Sequence, residues 1–221
     1  MEILPTQRGT RKRIADAIRT DIMRGTLRFG QRIPESEYMS KFGVSRTPVR
    51  EATLSLSTEG LVQIRAQAGS WVIDLNKERL RKLFVARRLL EMAGVQGASR
   101  KERETLASDL ESLTPDLYRP VESATSYDAF NDVDTEFHRR LVAASGNEFL
   151  LQAYQPVMVC SMAARSRLEK SSVVSEQAND HHGRILTALQ RNDLADLENT
   201  LAEHFDWVFS LLLQVPEILE D

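Results

Sequence analysis

Residues 43–52 read GVSRTPVREA, a stretch that places two arginines one helical turn apart at the opening of a short helix. Arg46 and Arg50 are four apart, so both guanidinium groups leave the same face. Pro48 falls in the first turn, where its missing N–H costs little, and Ser45 or Thr47 supplies a capping hydroxyl. Val49, Ala52 and Leu56 form the opposite, apolar stripe. The helix therefore seats on a small core and presents arginines at its N-terminal end. Arginine forks match phosphate oxygens and the O6/N7 edge of guanine, and a helix fits the major groove of B-DNA.

Working outward, Ile14, Ile18 and Ile22 recur at every fourth position and predict a helix over 10–24, ended by Gly25. Arg11, Lys12 and Arg13 fall in its first turn, where positive charge opposes the macrodipole. Either DNA phosphate or bulk solvent then compensates them. The connector LRFGQRIP leads to a second helix over 35–42 that stops at Gly43. Beyond Gly60 a strand over 61–64, a turn over 66–69 and a return strand over 70–73 complete a winged helix-turn-helix. The wing tip, residues 67–70, is small and polar, suited equally to the minor groove or to a solvated turn.

The chain has 221 residues, 42% of them apolar and 28% charged, an ordinary balance for a soluble globular protein. No apolar run approaches the ~20 residues of a membrane span, and the first residues lack the apolar core of a signal peptide. A single cysteine, Cys160, forms no internal disulfide, in keeping with a cytoplasmic location. Residues 1–74 carry 12 Lys and Arg against 8 Asp and Glu, whereas residues 75–221 carry 17 against 24. A basic head on an acidic body points the head alone at a polyanion, unless the asymmetry is chance patchiness. Helical periodicity dominates after a linker over 74–77, with helices over 77–99, 101–113, 123–145, 148–170, 173–191 and 193–214. Pro156 is expected to break or kink the fourth of these, and Pro115 and Pro120 to punctuate a loop. The fold class is thus mainly α: a winged head over 1–75 and an all-α bundle of about six helices over 76–221.

All four histidines lie in the bundle. Asp134 and His138 share one helix face, His182 opens a segment with a core stripe, and His204 lies between Leu201 and Trp207. Three imidazoles and a carboxylate from three helices compose a ligand set suited to Zn²⁺, Ni²⁺ or a similar divalent ion. The competing reading is a set of hydrogen-bonded core histidines. His181 is turned about 100° from its neighbour, so only one of the pair points inward. Arg87 and Glu91 are four apart and would pair on any helix surface.

GVSRTPVREA, followed by EGLV and AGSWV and preceded by IADAIRTDIMRGTLRFGQRIPESEYMSKF, resembles the DNA-binding domain of the GntR family of bacterial transcription regulators. The resemblance implies that Ser45, Arg46, Thr47 and Arg50 contact double-stranded operator DNA, with the wing turn at Gly69 in the groove; Arg11 is a further phosphate candidate. Ser36 stands where some members carry an arginine. Asp134, Phe137, His138 and Leu141, then SGN at 145–147, His182 with Ile185, and finally His204 are similar to the FCD effector domain of FadR-like members. There the corresponding Asp and three His bind a metal in many members. The segment FVARRLLEMAGVQGAS also resembles the family and implies that Arg87 faces the cavity. An arginine beside an incompletely ligated metal selects anions, so the implied effector is a small carboxylate. Arg165 and Arg167 either join that cavity or are exposed. The implied protein is a homodimer whose two heads bind two half-sites.

Two other functions fit parts of the pattern. The Asp/His set could be a hydrolase or lyase centre with a DNA-targeting head. Against this, the sequence has no HExxH helix, no glycine-rich phosphate loop and no recognisable nucleophile. Alternatively the bundle is a dimerisation scaffold and its histidines are structural.

Overall fold

Ile14, Ile18 and Ile22 meet Val49, Ala52 and Leu56 in the computed structural model, all six fully buried; the structure describes residues 7–219. Burial of two helical stripes against each other sets the head: α1 (Gln7–Met23) crosses α3 (Arg46–Thr58), with α2 (Glu35–Phe42) beside them. Gly43 caps α2 in the left-handed conformation at φ 62°, which lets the chain turn directly into α3. The wing follows as β1 (Val62–Arg65) and β2 (Gly69–Val72), antiparallel, with Val62 opposite Val72 and Arg65 opposite Gly69.

Several details of the head differ from expectation. Helix α1 is already formed at Gln7, so Arg11 lies in its second turn, away from the helix terminus. Both strands are offset by one residue from the predicted limits. Ser45 occupies the N-cap position with extended backbone, but its side chain makes no cap hydrogen bond. Pro48 is third in α3, among the positions whose N–H has no intrahelical acceptor.

The body comprises α4 (Lys77–Gly97), α5 (Arg100–Glu111), the short α6 (Thr114–Leu117), α7 (Ala124–Ala143), α8 (Glu148–Arg165), α9 (Ser172–Gln190), α10 (Leu194–Leu212) and the short α11 (Pro216–Leu219). Asn76 caps α4 by accepting from the Arg79 N–H at 3.1 Å, as its position before the helix predicts. Ser99 and Glu102 form a capping box on α5. Pro115 does not interrupt a loop; it sits in the first turn of α6, where proline is tolerated. Pro156 does not break α8 either. The helix runs through it, and the ring faces the head: a Cβ on Gly60 would come within 3.0 Å of the Pro156 Cβ.

Head and body share packing through α8. Val159 and Ala163 join the apolar cluster of the head, while Ala164 and Leu168 belong to the cluster of the body. Arg167, in the turn after α8, donates to Glu217 at 2.8 Å and to the carbonyls of Met23 and Leu27, and lies over the Phe29 ring. Among the described residues no helix is long and apolar enough to cross a membrane.

Within the body, α4 and α7 approach so closely at Gly94 that a Cβ there would collide with the backbone of Leu141 and Val142. Backbone cannot yield as a flexible side chain can. Gly94→Ala is therefore expected to cost at least about 2 kcal/mol, read as a fall in urea midpoint; wild-type stability would show that the two helices can separate at no cost.

Candidate functional site

The head offers one face built for an anion. Ser45, Arg46, Thr47 and Arg50 are all exposed along the first turns of α3. The wing rises beside them, so Arg46, Arg50, Arg65 and Gly69 line one groove together with Arg32 from the connector. Arg11 is exposed on α1 and does not line that groove. Arg32 and Arg65 had no motif to mark them. The Arg65 guanidinium stacks over the Trp71 ring at 4.3 Å, and Arg32 bridges backbone with Trp71. Both cations reach the groove only because the hairpin folds back over the connector.

The body holds a polar centre that solvent does not reach. His138, His182 and His204, from α7, α9 and α10, are each no more than 2% exposed. One ligand atom of each lies within 4.8 Å of the others. The apolar stripes that carry them force this convergence: Phe137 and Leu141 flank His138, Ile185 and Leu186 follow His182, and Leu201 and Phe205 bracket His204, all buried. Asp134, a turn before His138, brings a carboxylate oxygen to 3.3 Å from His182 Nε2. Its other oxygen accepts from Arg165 Nη1, and Arg165 Nη2 donates to Asn131.

Charges in this centre are matched in pairs. Arg87 Nε donates to Glu91 at 2.9 Å and its Nη1 to Ser161 at 2.8 Å. Tyr154 donates to Glu91 at 2.7 Å. Arg87 is thus 3% exposed, and the surface-pair alternative is ruled out for this side chain. Glu91 Oε2 lies 2.8 Å from His138 Nδ1. Burial pushes the Glu91 carboxyl up to about 7, against the pull of Arg87 and Tyr154. Burial and the Arg87 charge press His138 well below the ordinary imidazole range, and burial with the neighbouring imidazoles does the same to His204. In the neutral tautomer that donates Nδ1–H to Glu91, His138 carries its lone pair on Nε2, which faces His182 Nε2. Burial opposes the Asp134 carboxylate, yet Arg165 and the His182 hydrogen bond outweigh it and hold the carboxyl well below its usual range.

The donor set fits a divalent transition metal. His138 Nε2 and His182 Nε2 are 3.4 Å apart, about the edge of a tetrahedron with bonds near 2.1 Å. The Nδ1 atoms of His182 and His204 are buried with no hydrogen-bond partner; for His182 this is the nitrogen opposite Nε2, so a water rather than an ion at Nε2 would satisfy it. The void bordered by Asp134, Arg165 and His204 is only about 10 Å³, room for about one water molecule.

Of the adjacent pair only His182 joins the three-imidazole cluster, as expected; the half-buried His181 ring stacks on Trp207 at 5.2 Å and meets His204 edge-on at 5.5 Å, at the rim of that cluster. Arg165 belongs to the centre, whereas Arg167 lies at the junction of head and body with 7% of its side chain exposed. Tyr154 and Ser161 had no signal in the sequence, since they meet Arg87 only through the packing of α8 on α4.

Comparison with known proteins matches residues 10–72 to the bacterial regulatory proteins of the gntR family and residues 82–206 to the FCD domain. The gluconate operon transcriptional repressor of Bacillus licheniformis is 24% identical over 199 residues, covering 88% of this chain and 81% of its own length. The Uxu operon regulator of Haemophilus influenzae is 26% identical over 226 residues, covering 95% and 84%. A transcriptional regulator GntR from Rhodococcus sp. RHA1 has the same fold, with a TM-score of 0.71 at 21% identity over 95% of this chain and 99% of that one.

The pairing of Arg165 with Asp134 makes a prediction that needs no ligand. Arg165→Met leaves a carboxylate buried without its cation and should cost about 3 kcal/mol in urea denaturation, part of which Arg165→Met with Asp134→Leu should recover. A loss in the double variant equal to the sum of the Arg165→Met and Asp134→Leu losses would show that the two groups are not coupled.

Proposed function

Since the chain belongs to the GntR family of transcriptional regulators and carries its FCD domain, we propose that it binds operator DNA with an affinity set by a small carboxylate effector beside a divalent transition metal. The observation that carries this reading is the convergence of three buried imidazoles, with Asp134 and two arginines around them. Asp134, His138, His182 and His204 would hold the ion. The ion would supply one positive pole for the effector, and Arg87 or Arg165 the other. Ser45, Arg46, Thr47, Arg50 and the wing at Gly69 would meet the duplex, with Arg11 on flanking phosphate.

The domain division at residue 75, homodimerisation and a cytoplasmic location belong to the same proposal. Val85 and Leu89, one turn apart on α4, are 46% and 61% exposed, an apolar pair suited to a second copy. Two heads would then span two half-sites. Effector entry must enlarge the 10 Å³ void, which displaces helices. Because α8 carries Ser161 and Arg165 on one side and Val159 and Ala163 in the head's core on another, such a displacement biases the placement of the heads. By linkage, effector and operator alter each other's affinity by one common factor.

Two measurements test the reading. In a gel-shift titration Arg50→Ala should weaken operator binding by at least about tenfold, the loss typical of a base or phosphate contact of this kind; full affinity would remove the contact. Elemental analysis of the purified chain should find about one transition-metal ion per chain, lost in His182→Ala with His204→Ala. Unchanged content in the double variant would remove the metal site.

A further inference from the structure

One acidic side chain stands in the middle of the DNA-facing groove. Glu35 opens α2, where a carboxylate suits the helix dipole whichever way it points. Here its side chain is only 16% exposed and turned into the groove. Glu35 Oε2 lies 3.7 Å from Arg50 Nε and 4.0 Å from Arg46 Nε. The Ser70 hydroxyl of the wing lies 3.2 Å from Glu35 Oε1 and 3.0 Å from Thr53 Oγ1 of α3, its one proton shared between the two acceptors. A single carboxylate thus ties the second helix, the recognition helix and the wing together.

Both arginines meet Glu35 through Nε, and their side chains remain 62% and 64% exposed. The contact is a charge attraction beyond hydrogen-bond range that draws both forks toward one carboxylate and leaves most of each side chain exposed. A fork held in this way loses less rotamer freedom when it docks on a base edge. The carboxylate also repels phosphate oxygens, so a duplex that offers only its backbone pays a penalty. A duplex with a correctly placed base-edge donor, such as the amino group of cytosine or adenine, or with guanine acceptors for the two forks, offsets it.

We propose that Glu35 is a positioning and specificity-determining residue of the DNA-reading face: it aims Arg46 and Arg50 at base edges and disfavours duplexes that present phosphate alone. The inference rests on the reading of the head as an operator-binding module. Its opposite would be a purely local role, in which Glu35 stabilises the start of α2 and the wing without influencing which sequence is bound.

The test uses the full-length chain and two duplexes of equal length: one enriched by the wild-type chain from a random library, the other a scrambled version of it. Glu35→Gln keeps an acceptor for Ser70 but removes the charge. Glu37→Gln, on the exposed side of α2, makes the same change in net charge away from the two arginines. Glu35→Gln should raise affinity for the scrambled duplex roughly tenfold while leaving the enriched duplex unchanged or weaker, so the ratio between them falls roughly tenfold. Glu37→Gln should shift both duplexes by one common factor. Melting temperatures of both variants near that of the wild type separate the effect from loss of fold. If Glu35→Gln shifts both duplexes equally, as Glu37→Gln does, Glu35 has no part in specificity and the operator-binding reading survives. If the wild-type chain enriches no sequence at all, that reading fails, and this inference with it.

Discussion

A charged and polar cluster sealed inside an apolar helical body is the constraint that orders the rest of this structure. Isolated ions in such a place would cost many kcal/mol. The sequence meets the cost by pairing: Arg87 with Glu91, Arg165 with Asp134, and Tyr154, Ser161 and Asn131 filling the remaining donor and acceptor positions. With the ions matched, the imidazoles of His138 and His204 stay neutral, which is the form that binds a metal. The apolar stripes of α7, α9 and α10 fix where the rings meet, and Glu91 fixes which nitrogen of His138 faces the others.

Helix α8 connects this centre to the head. Its inner side carries Tyr154, Ser161 and Arg165, its outer side Pro156, Val159, Cys160 and Ala163, and the Cys160 thiol donates to the Gly60 carbonyl at 3.3 Å. A rigid element with one face in each core transmits a displacement at either end, because close-packed interiors do not absorb it locally. Arg167 adds a polar lock across the same junction, holding α11 and the end of α1 at once.

Much of this was legible in the sequence, and what was not shares a physical cause. Periodic apolar residues located every long helix to within a few residues, and the spacing of Asp134 and His138 placed both on one face. The GVSRTPVREA stretch located the recognition helix. Long-range polar contacts were not legible: Ser161 and Tyr154 lie 74 and 67 positions from Arg87, and nothing in local spacing reports such a meeting. Glu35 carries no signal of its own in the sequence, because only the fold of the wing over α2 brings its carboxylate to Ser70 and the two arginines. Pro156 was expected to break or kink its helix; α8 is continuous through it, and its ring meets Gly60 of the head. Helical geometry separated His182, which joins the cluster, from His181, but it did not report that the His181 ring stacks on Trp207.

The central claim is that the polar centre and the DNA-reading face form one thermodynamic system. Fluorescence anisotropy of a labelled operator duplex tests it most directly, with the metal-loaded chain titrated in the presence of a panel of small mono- and dicarboxylates. The account predicts that at least one carboxylate changes the operator dissociation constant by roughly 5- to 150-fold, and that the effect disappears when the metal is stripped by a chelator. An operator affinity constant across the whole panel, with metal and without, would contradict it.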